Sequence, residues 1–398
     1  MEQGSRKYFI LLVILVFAVG IFLRIAFLKD IDYSGSVPDE KFYLKYASYM
    51  AVAKDASIQA LVVDYINGDF FHIFPSPLRA GYIVIASYWM RLIAQFNYQA
   101  LSYMSAFFSI MSLFVGYFFT KRLFDEKIAL ISLSLLAFSP MNLAFSRRAQ
   151  PESMLYFFII LTLWIFYEAL KKDNIALRIA FALSLFSAIM VKESNLLIVP
   201  FFLIVIFWKR RFSLLVYLIL SLAAVVMSWL IVTGSLANLA RLIEIIITSP
   251  LTNKWARMYL TGPITRYGLD FFLISPLTVI AAAAFFIWYF RDKNLWTEPC
   301  SYLVLFFIVY YLANSLYIKN ARYVIALDFP IRVFTAITVY GLASKSKAKR
   351  ALIVSAPILL IVCLDFYIFY SFYVRNTVFY DTITGNLIGS WEKFILRM

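Results

Sequence analysis

The chain has 398 residues, 63% of them hydrophobic and 15% charged, with 37 Lys and Arg against 22 Asp and Glu. Soluble domains run at about half apolar and a quarter charged, so this composition excludes a water-soluble globular protein and fits a polytopic membrane protein. A formal charge of +15 raises nucleic acid as a partner, but the basic residues cap apolar runs, a pattern that sets membrane orientation and gives no nucleic-acid surface.

At about 20 apolar residues per crossing, the runs predict an all-α bundle of about 11 transmembrane helices. The first is 8–28, following Arg6 and Lys7 and without a small-residue cleavage pattern, which reads as a retained span. The others fall near 100–119, 128–145, 153–170, 175–191, 195–208, 212–233, 268–290, 300–318, 321–342 and 351–371. The 78–96 segment is apolar but interrupted by Arg79, Arg91 and Gln95. Laid on the membrane surface, it leaves Lys121 and Arg122, Lys171 and Lys172, Lys209 to Arg211, and Lys345 to Arg350 together on the cytoplasmic side with the N-terminus. Counted as a crossing with an outward N-terminus, it gives twelve spans and the same later topology. Residues 1–371 then form one transmembrane domain with two long non-cytoplasmic loops, 29–99 with surface helices and 234–267, followed by a non-cytoplasmic tail at 372–398. Cys300 and Cys363 have neither disulfide-framework nor zinc-ligand spacing.

Candidate chemistry gathers in the outward loops. Ser36-Val37-Pro38-Asp39-Glu40-Lys41-Phe42-Tyr43 places two acids at the water boundary, where a carboxylate can deprotonate a hydroxyl. Ser36 with Asp39 three residues on is also a capping box, in which Asp39 only satisfies backbone donors; both readings stand. Ser146-Arg147-Arg148-Ala149-Gln150-Pro151-Glu152 puts two arginines outward against the orientation bias. Paired guanidinium groups suit phosphate oxygens, of a substrate or of lipid headgroups, and Glu152 could orient them or a sugar hydroxyl. Lys192, in the tight turn Val191-Lys192-Glu193, offers a point charge for a phosphate, or pairs with Glu193 or snorkels. Lys319-Asn320-Ala321-Arg322-Tyr323 adds Arg322 as a further phosphate contact. His72, the sole histidine, stands among aromatics without a triad partner, a pattern more typical of an interfacial residue than of a catalyst.

Asp39, Glu40 and Tyr43 after the first span, with Pro75, Pro77 and Leu78 leading into a surface helix, resemble the GT-C glycosyltransferases of the protein O-mannosyltransferase and aminoarabinose-transferase type. Leu123-Phe124 with basic flanks, Ser139-Pro140, Ser146-Arg147 with a following acid, Val191-Lys192, and Arg322-Tyr323 with Pro330 follow in that family's order, so the resemblance covers roughly residues 8–342. It implies an inverting transfer of a sugar from a polyprenyl-phosphate carrier to a glycan, lipid or protein acceptor on the non-cytoplasmic side of the cell membrane. Asp39 takes the general-base position and Glu152 the second acidic position, with Glu40 beside the base. Arg147, Arg148, Lys192 and Arg322 are then the donor-phosphate contacts, and Tyr43, His72 and Tyr323 the substrate contacts. No cofactor is required, and a divalent metal is left undecided. A secondary transporter or lipid flippase is the alternative from another class. Asp328 and Arg332, i and i+4 in the 321–342 span, with Asp365 in the next, are the residues that favour it, although a buried ion pair accounts for them too. A lipid-linked glycan ligase or polymerase is a third reading.

Overall fold

The computed structural model describes residues 3–28, 38–53, 55–68, 75–344, 350–375 and 384–395, and among them every regular element is helical. Ser36, His72 and most of the Lys345 to Arg350 loop lie outside the described residues.

Six helices are long and apolar enough to cross a bilayer: Arg6–Ala26, Tyr98–Leu123, Glu152–Lys171, Ser213–Thr233, Ala321–Leu342 and Val354–Arg375. A seventh crossing is formed if Glu126–Ala137 and Pro140–Ser146, bent by 55° at Ser139, count as one broken span. The chain is a multi-pass membrane protein, but length and apolarity give six or seven crossings among the described residues where the hydrophobic runs suggest eleven. The remaining runs are helical yet interrupted, short or, at 300–318, less apolar. The 268–290 run breaks at Ser275-Pro276 into Arg266–Ile274 and Pro276–Arg291, because proline has no amide hydrogen to continue a helix. The 195–208 run is a 3-10 segment, Glu193–Ile198, followed by an 11-residue helix. The 175–191 run forms a 17-residue helix, and 300–318 is carried by Glu298–Ser315.

We label the helices in chain order: α1 (Gln3–Ala26), α2 (Pro38–Val52), α3 (Ile58–Asn67), α4 (Ala80–Ile93), α5 (Tyr98–Leu123) and α6 (Glu126–Ala137). After them come α7 (Pro140–Ser146), α8 (Glu152–Lys171), α9 (Ile175–Val191), α10 (Val199–Lys209), α11 (Ser213–Thr233) and α12 (Leu236–Thr252). Local signals start these helices where the sequence demands it. Asn97 accepts from the Ala100 amide, Asp125 from Lys127 and Ile128, and Asn174 from Ala176, each satisfying donors that a helix start leaves open. α5 packs on α8, α8 on α9 and α9 on α11, while the apolar face of α1 remains largely lipid-facing.

The bend between α6 and α7 strands carbonyls at the end of α6, and a buried arginine from α1 collects them. Arg24 donates to the carbonyls of Ala137 at 3.2 Å, Leu136 at 3.3 Å and Gly20 at 2.9 Å, and to Ser109 Oγ at 2.7 Å. Only 1% of Arg24 is exposed, so its charge is tolerated because its donors are spent on oxygens.

The ambiguous 78–96 segment is α4, fourteen residues long. At 1.5 Å per residue it reaches about 21 Å, short of the roughly 30 Å hydrocarbon core, as expected of a surface helix. It packs on α2, α5 and α9 through Tyr82, Ile83, Ala86 and Met90. Gly81 permits the closest approach: a Cβ there would stand 2.9 Å from the backbone carbonyl carbon and oxygen of Met190. Gly81→Ala is therefore expected to lower stability by about 1–3 kcal/mol, read as a fall in thermal midpoint of the purified protein.

α3 packs against α11 and α12, and Gln59 Nε2 donates to the Ile231 carbonyl at 2.8 Å. The first long loop and the second therefore meet at the same end of the bundle. At that end Tyr317 donates to the Ile246 carbonyl at 2.8 Å, and the Lys319 amide to that of Leu260 at 2.6 Å.

Candidate functional site

Five separate segments deliver charged side chains to this end. They are the first turn of α2, the residue before α4, the loop from α7 into α8, the turn after α9, and the 3-10 segment Ala321–Leu327 that leads into the helix Asp328–Ser344. Acids occupy the opening turns: Asp39 and Glu40 in α2, Glu152 in α8 and Glu193 in the 3-10 segment, where unpaired amides and the helix dipole favour negative charge.

Each of these acids meets a cation from another segment. Asp39 Oδ2 accepts from Arg322 Nη1 at 2.6 Å. Glu40 is bound by Arg148 Nη2 and accepts from the Ala149 amide at 2.9 Å. Glu152 Oε1 accepts from Lys192 Nζ at 2.9 Å. Glu193 is gripped through both oxygens by Arg79, with Nε to Oε2 and Nη2 to Oε1 both at 2.8 Å. Arg79 also donates to the Tyr43 hydroxyl. Tyr323 joins two of the pairs, its ring centroid lying 4.6 Å from Lys192 Nζ and 5.4 Å from Arg322 Cζ. Asp39 and Glu152 thus belong to one continuous polar cluster.

Burial grades the cluster. Glu40, Glu152 and Lys192 are almost wholly enclosed, whereas the Asp39 and Arg322 side chains keep 12% and 13% exposure. Burial pushes the Glu40 carboxyl above its ordinary range despite the Arg148 charge. Glu193 sits below it, since the Arg79 guanidinium outweighs burial. Burial depresses the Lys192 ammonium to about 8, with nearby Arg79 and Arg322 pushing the same way and Glu152 opposing them.

The structure sorts the predicted residues. Asp39, Glu152, Lys192, Arg322, Tyr43 and Tyr323 converge. Glu40 and Arg148 are beside them but bind each other, tying α2 to the loop before α8. Arg147 is directed elsewhere: it donates to the carbonyls of Phe27 at 2.9 Å and Tyr373 at 2.8 Å and lies over the rings of Phe27 and Phe369. It fastens α1 to the 370–375 segment. Lys192 neither snorkels nor pairs with Glu193; it reaches Glu152, forty residues away along the chain. Sequence reasoning missed the role of Arg79, which reads there only as an interruption of an apolar run. Its signal is its place directly after Pro77-Leu78, at the start of the helix that faces α2.

A second charged cluster lies within the bundle. Arg332 pairs with Asp328 at 3.2 Å and with Asp365, joined by Ser275, Thr278, Ser139 and Asn142. Arg332 is fully buried, and its two acids are 3% and 1% exposed. Among the described residues no three His, Cys, Asp or Glu side chains are grouped to hold a metal ion.

Residues 78–234 match the family model for dolichyl-phosphate-mannose-protein mannosyltransferase. The structure also superimposes on AglB, the oligosaccharyltransferase of Archaeoglobus fulgidus, solved with an inhibitory peptide and a dolichol-phosphate. That match has a TM-score of 0.66 and 13% identity over 95% of this chain and 56% of the other. The fold is GT-C. ArnT from Cupriavidus metallidurans, solved bound to undecaprenyl phosphate, shares this GT-C architecture at a TM-score of 0.54 and 13% identity, over 98% of this chain and 76% of that one. The chain spans just over half the length of the archaeal enzyme. No curated protein matches its sequence. The fold resemblance read from the motifs is borne out.

Proposed function

We propose that this GT-C protein is an inverting glycosyltransferase that moves a sugar from a polyprenyl-phosphate carrier to a glycan, lipid or protein acceptor on the non-cytoplasmic side. The observation that carries this reading is the convergence of Asp39, Glu152, Lys192 and Arg322, drawn from four segments, on one end of a membrane-embedded bundle. The reaction asks for a base on the acceptor and positive charge at the leaving phosphate. Asp39 takes the proton of the acceptor hydroxyl as its oxygen bonds to the anomeric carbon. The bond from that carbon to the phosphate oxygen breaks on the opposite face, and the lipid monophosphate leaves with the electron pair. Arg322 faces the developing charge, and Lys192 holds Glu152 for the sugar hydroxyls. Tyr43, bound by Arg79, and Tyr323, against Lys192 and Arg322, are the proposed substrate contacts. The dolichol-phosphate and undecaprenyl phosphate named with AglB and ArnT support a lipid-phosphate substrate. Residues 1–371 would constitute the transferase domain.

Purified protein in vesicles, offered polyprenyl-phosphate and polyprenyl-diphosphate sugars in turn, should transfer from the monophosphate only. Transfer confined to the diphosphate donor would instead support a ligase or polymerase, and lipid movement without transfer a flippase. Sidedness is checked in a chain with Cys300 and Cys363 replaced by serine: Lys41→Cys should react with an impermeant maleimide from outside intact cells, and Lys172→Cys should not.

Lys192 gives the reaction a pH limit. A lysine whose proton affinity is depressed is charged below its pKa and neutral above it, so its grip on Glu152 is lost as pH rises through about 8. The kcat/KM profile should fall on that alkaline limb. In Lys192→Arg, whose guanidinium stays charged, the limb should move to higher pH.

A further inference from the structure

Among the described residues, four acids and four cations of the outer cluster match one to one: Asp39 with Arg322, Glu40 with Arg148, Glu152 with Lys192, and Glu193 with Arg79. A phosphodiester donor brings at least one further negative charge into this balanced set. Within this set it gains a cation only by taking one from an acid that already holds it.

The pairs differ in how firmly they are made. Glu40 is wholly buried and bound by both Arg148 and the Ala149 amide. Lys192 and Glu152 are 1% and 2% exposed, so separating them strands a charge in a dry interior. Arg79 holds Glu193 in a two-point fork, the strongest geometry for such a pair. Asp39, as little exposed as the Arg79–Glu193 pair, is by contrast held through Oδ2 by one guanidinium nitrogen. Its partner Arg322 sits on a short 3-10 segment that is kinked at Val324. This pair costs least to open.

We infer that Arg322 restrains Asp39 until the donor's phosphate replaces the carboxylate, so that donor binding itself releases the base. The inference rests on the proposed transferase reading and deepens it. While Oδ2 accepts from Arg322, that oxygen is engaged with a cation and turned from the acceptor. A phosphate oxygen at the same guanidinium takes over the hydrogen bond, and the released carboxylate turns to the acceptor hydroxyl. The base is then armed only when a donor is present, which limits attack by water on an unoccupied site.

The test is a binding cycle with undecaprenyl phosphate as probe, on full-length protein in nanodiscs. Asp39→Asn, whose uncharged amide oxygen competes less well for Arg322 than the carboxylate does, should bind the probe about fivefold more tightly than wild type. Arg322→Ala should bind more weakly, and Asp39→Asn should bring no gain in the Arg322→Ala background. Arg322→Lys serves as the charge-retaining variant should Arg322→Ala fail to fold; it should also weaken binding and shrink the gain from Asp39→Asn. Unchanged or weaker binding by Asp39→Asn overturns the inference. So does a gain that persists in full without Arg322, because removal of negative charge would then act through the general field. Transfer assays on the same proteins separate the two readings. Transfer lost with affinity unchanged overturns the restraint alone, and transfer retained by Asp39→Asn overturns the assignment of the base.

Discussion

Asp39→Asn should lower sugar transfer by about 10²–10⁴-fold, the range supplied by a positioned general base. The substitution keeps the shape of the side chain and an oxygen for Arg322, so the fold should persist, with an unchanged gel-filtration profile and a thermal midpoint close to wild type. Only the ability to take a proton is removed. The comparison that matters is with Glu40→Gln, one residue away. Glu40 is enclosed and committed to Arg148 and the Ala149 amide. Its loss should appear mainly in stability, while transfer by the folded fraction survives. A pair of adjacent acids would thereby divide into one that reacts and one that holds the frame.

Arg332→Met should be the most damaging substitution for folding. It leaves Asp328 and Asp365 facing each other inside the bundle without a cation, and breaking even one buried pair costs about 3–5 kcal/mol. The protein should fail to accumulate, or should unfold at a much lower temperature in detergent. A combined replacement of the three, with Asp328→Asn retained as a partner for Ser139 and Asn142 and Asp365→Leu, should recover much of the loss, because no charge is then stranded. Recovery of folding without any transport phenotype would assign this cluster to architecture and remove the residues that favour a transporter.

How much of this was legible in the sequence depends on the range of the forces involved. Asp39 and Glu152 could be found because acids gather at helix starts and the turns before them carry Pro and Ser. Asp328 and Arg332 could be paired because i and i+4 share a helix face, and the structure joins them. The partners of Lys192 and Glu193 could not be read off. Neighbours in sequence point apart, so Lys192 turns to Glu152 and Glu193 to Arg79, 114 residues earlier. Arg147 and Arg148 look equivalent in the sequence, yet one reaches Glu40 and the other the carbonyls of Phe27 and Tyr373. The number of crossings was blurred for a different reason. Hydrophobicity runs unbroken through Pro140 and Pro276, while the helices do not.

The grip of Arg24 on the corner after α6 bears on how the protein enters the bilayer. Arg24 stands in the last turn of α1, so in a lone helix it can snorkel to the interface and escape most of the roughly 2.5–3.5 kcal/mol that an arginine costs at the helix centre. The carbonyls that compensate it are made more than a hundred residues later. Arg24 therefore has reason to stay at the interface and to turn inward only once the α6 corner is made. Burial of this charge would then be a late event of assembly, coupling α1 to a bend synthesised after it.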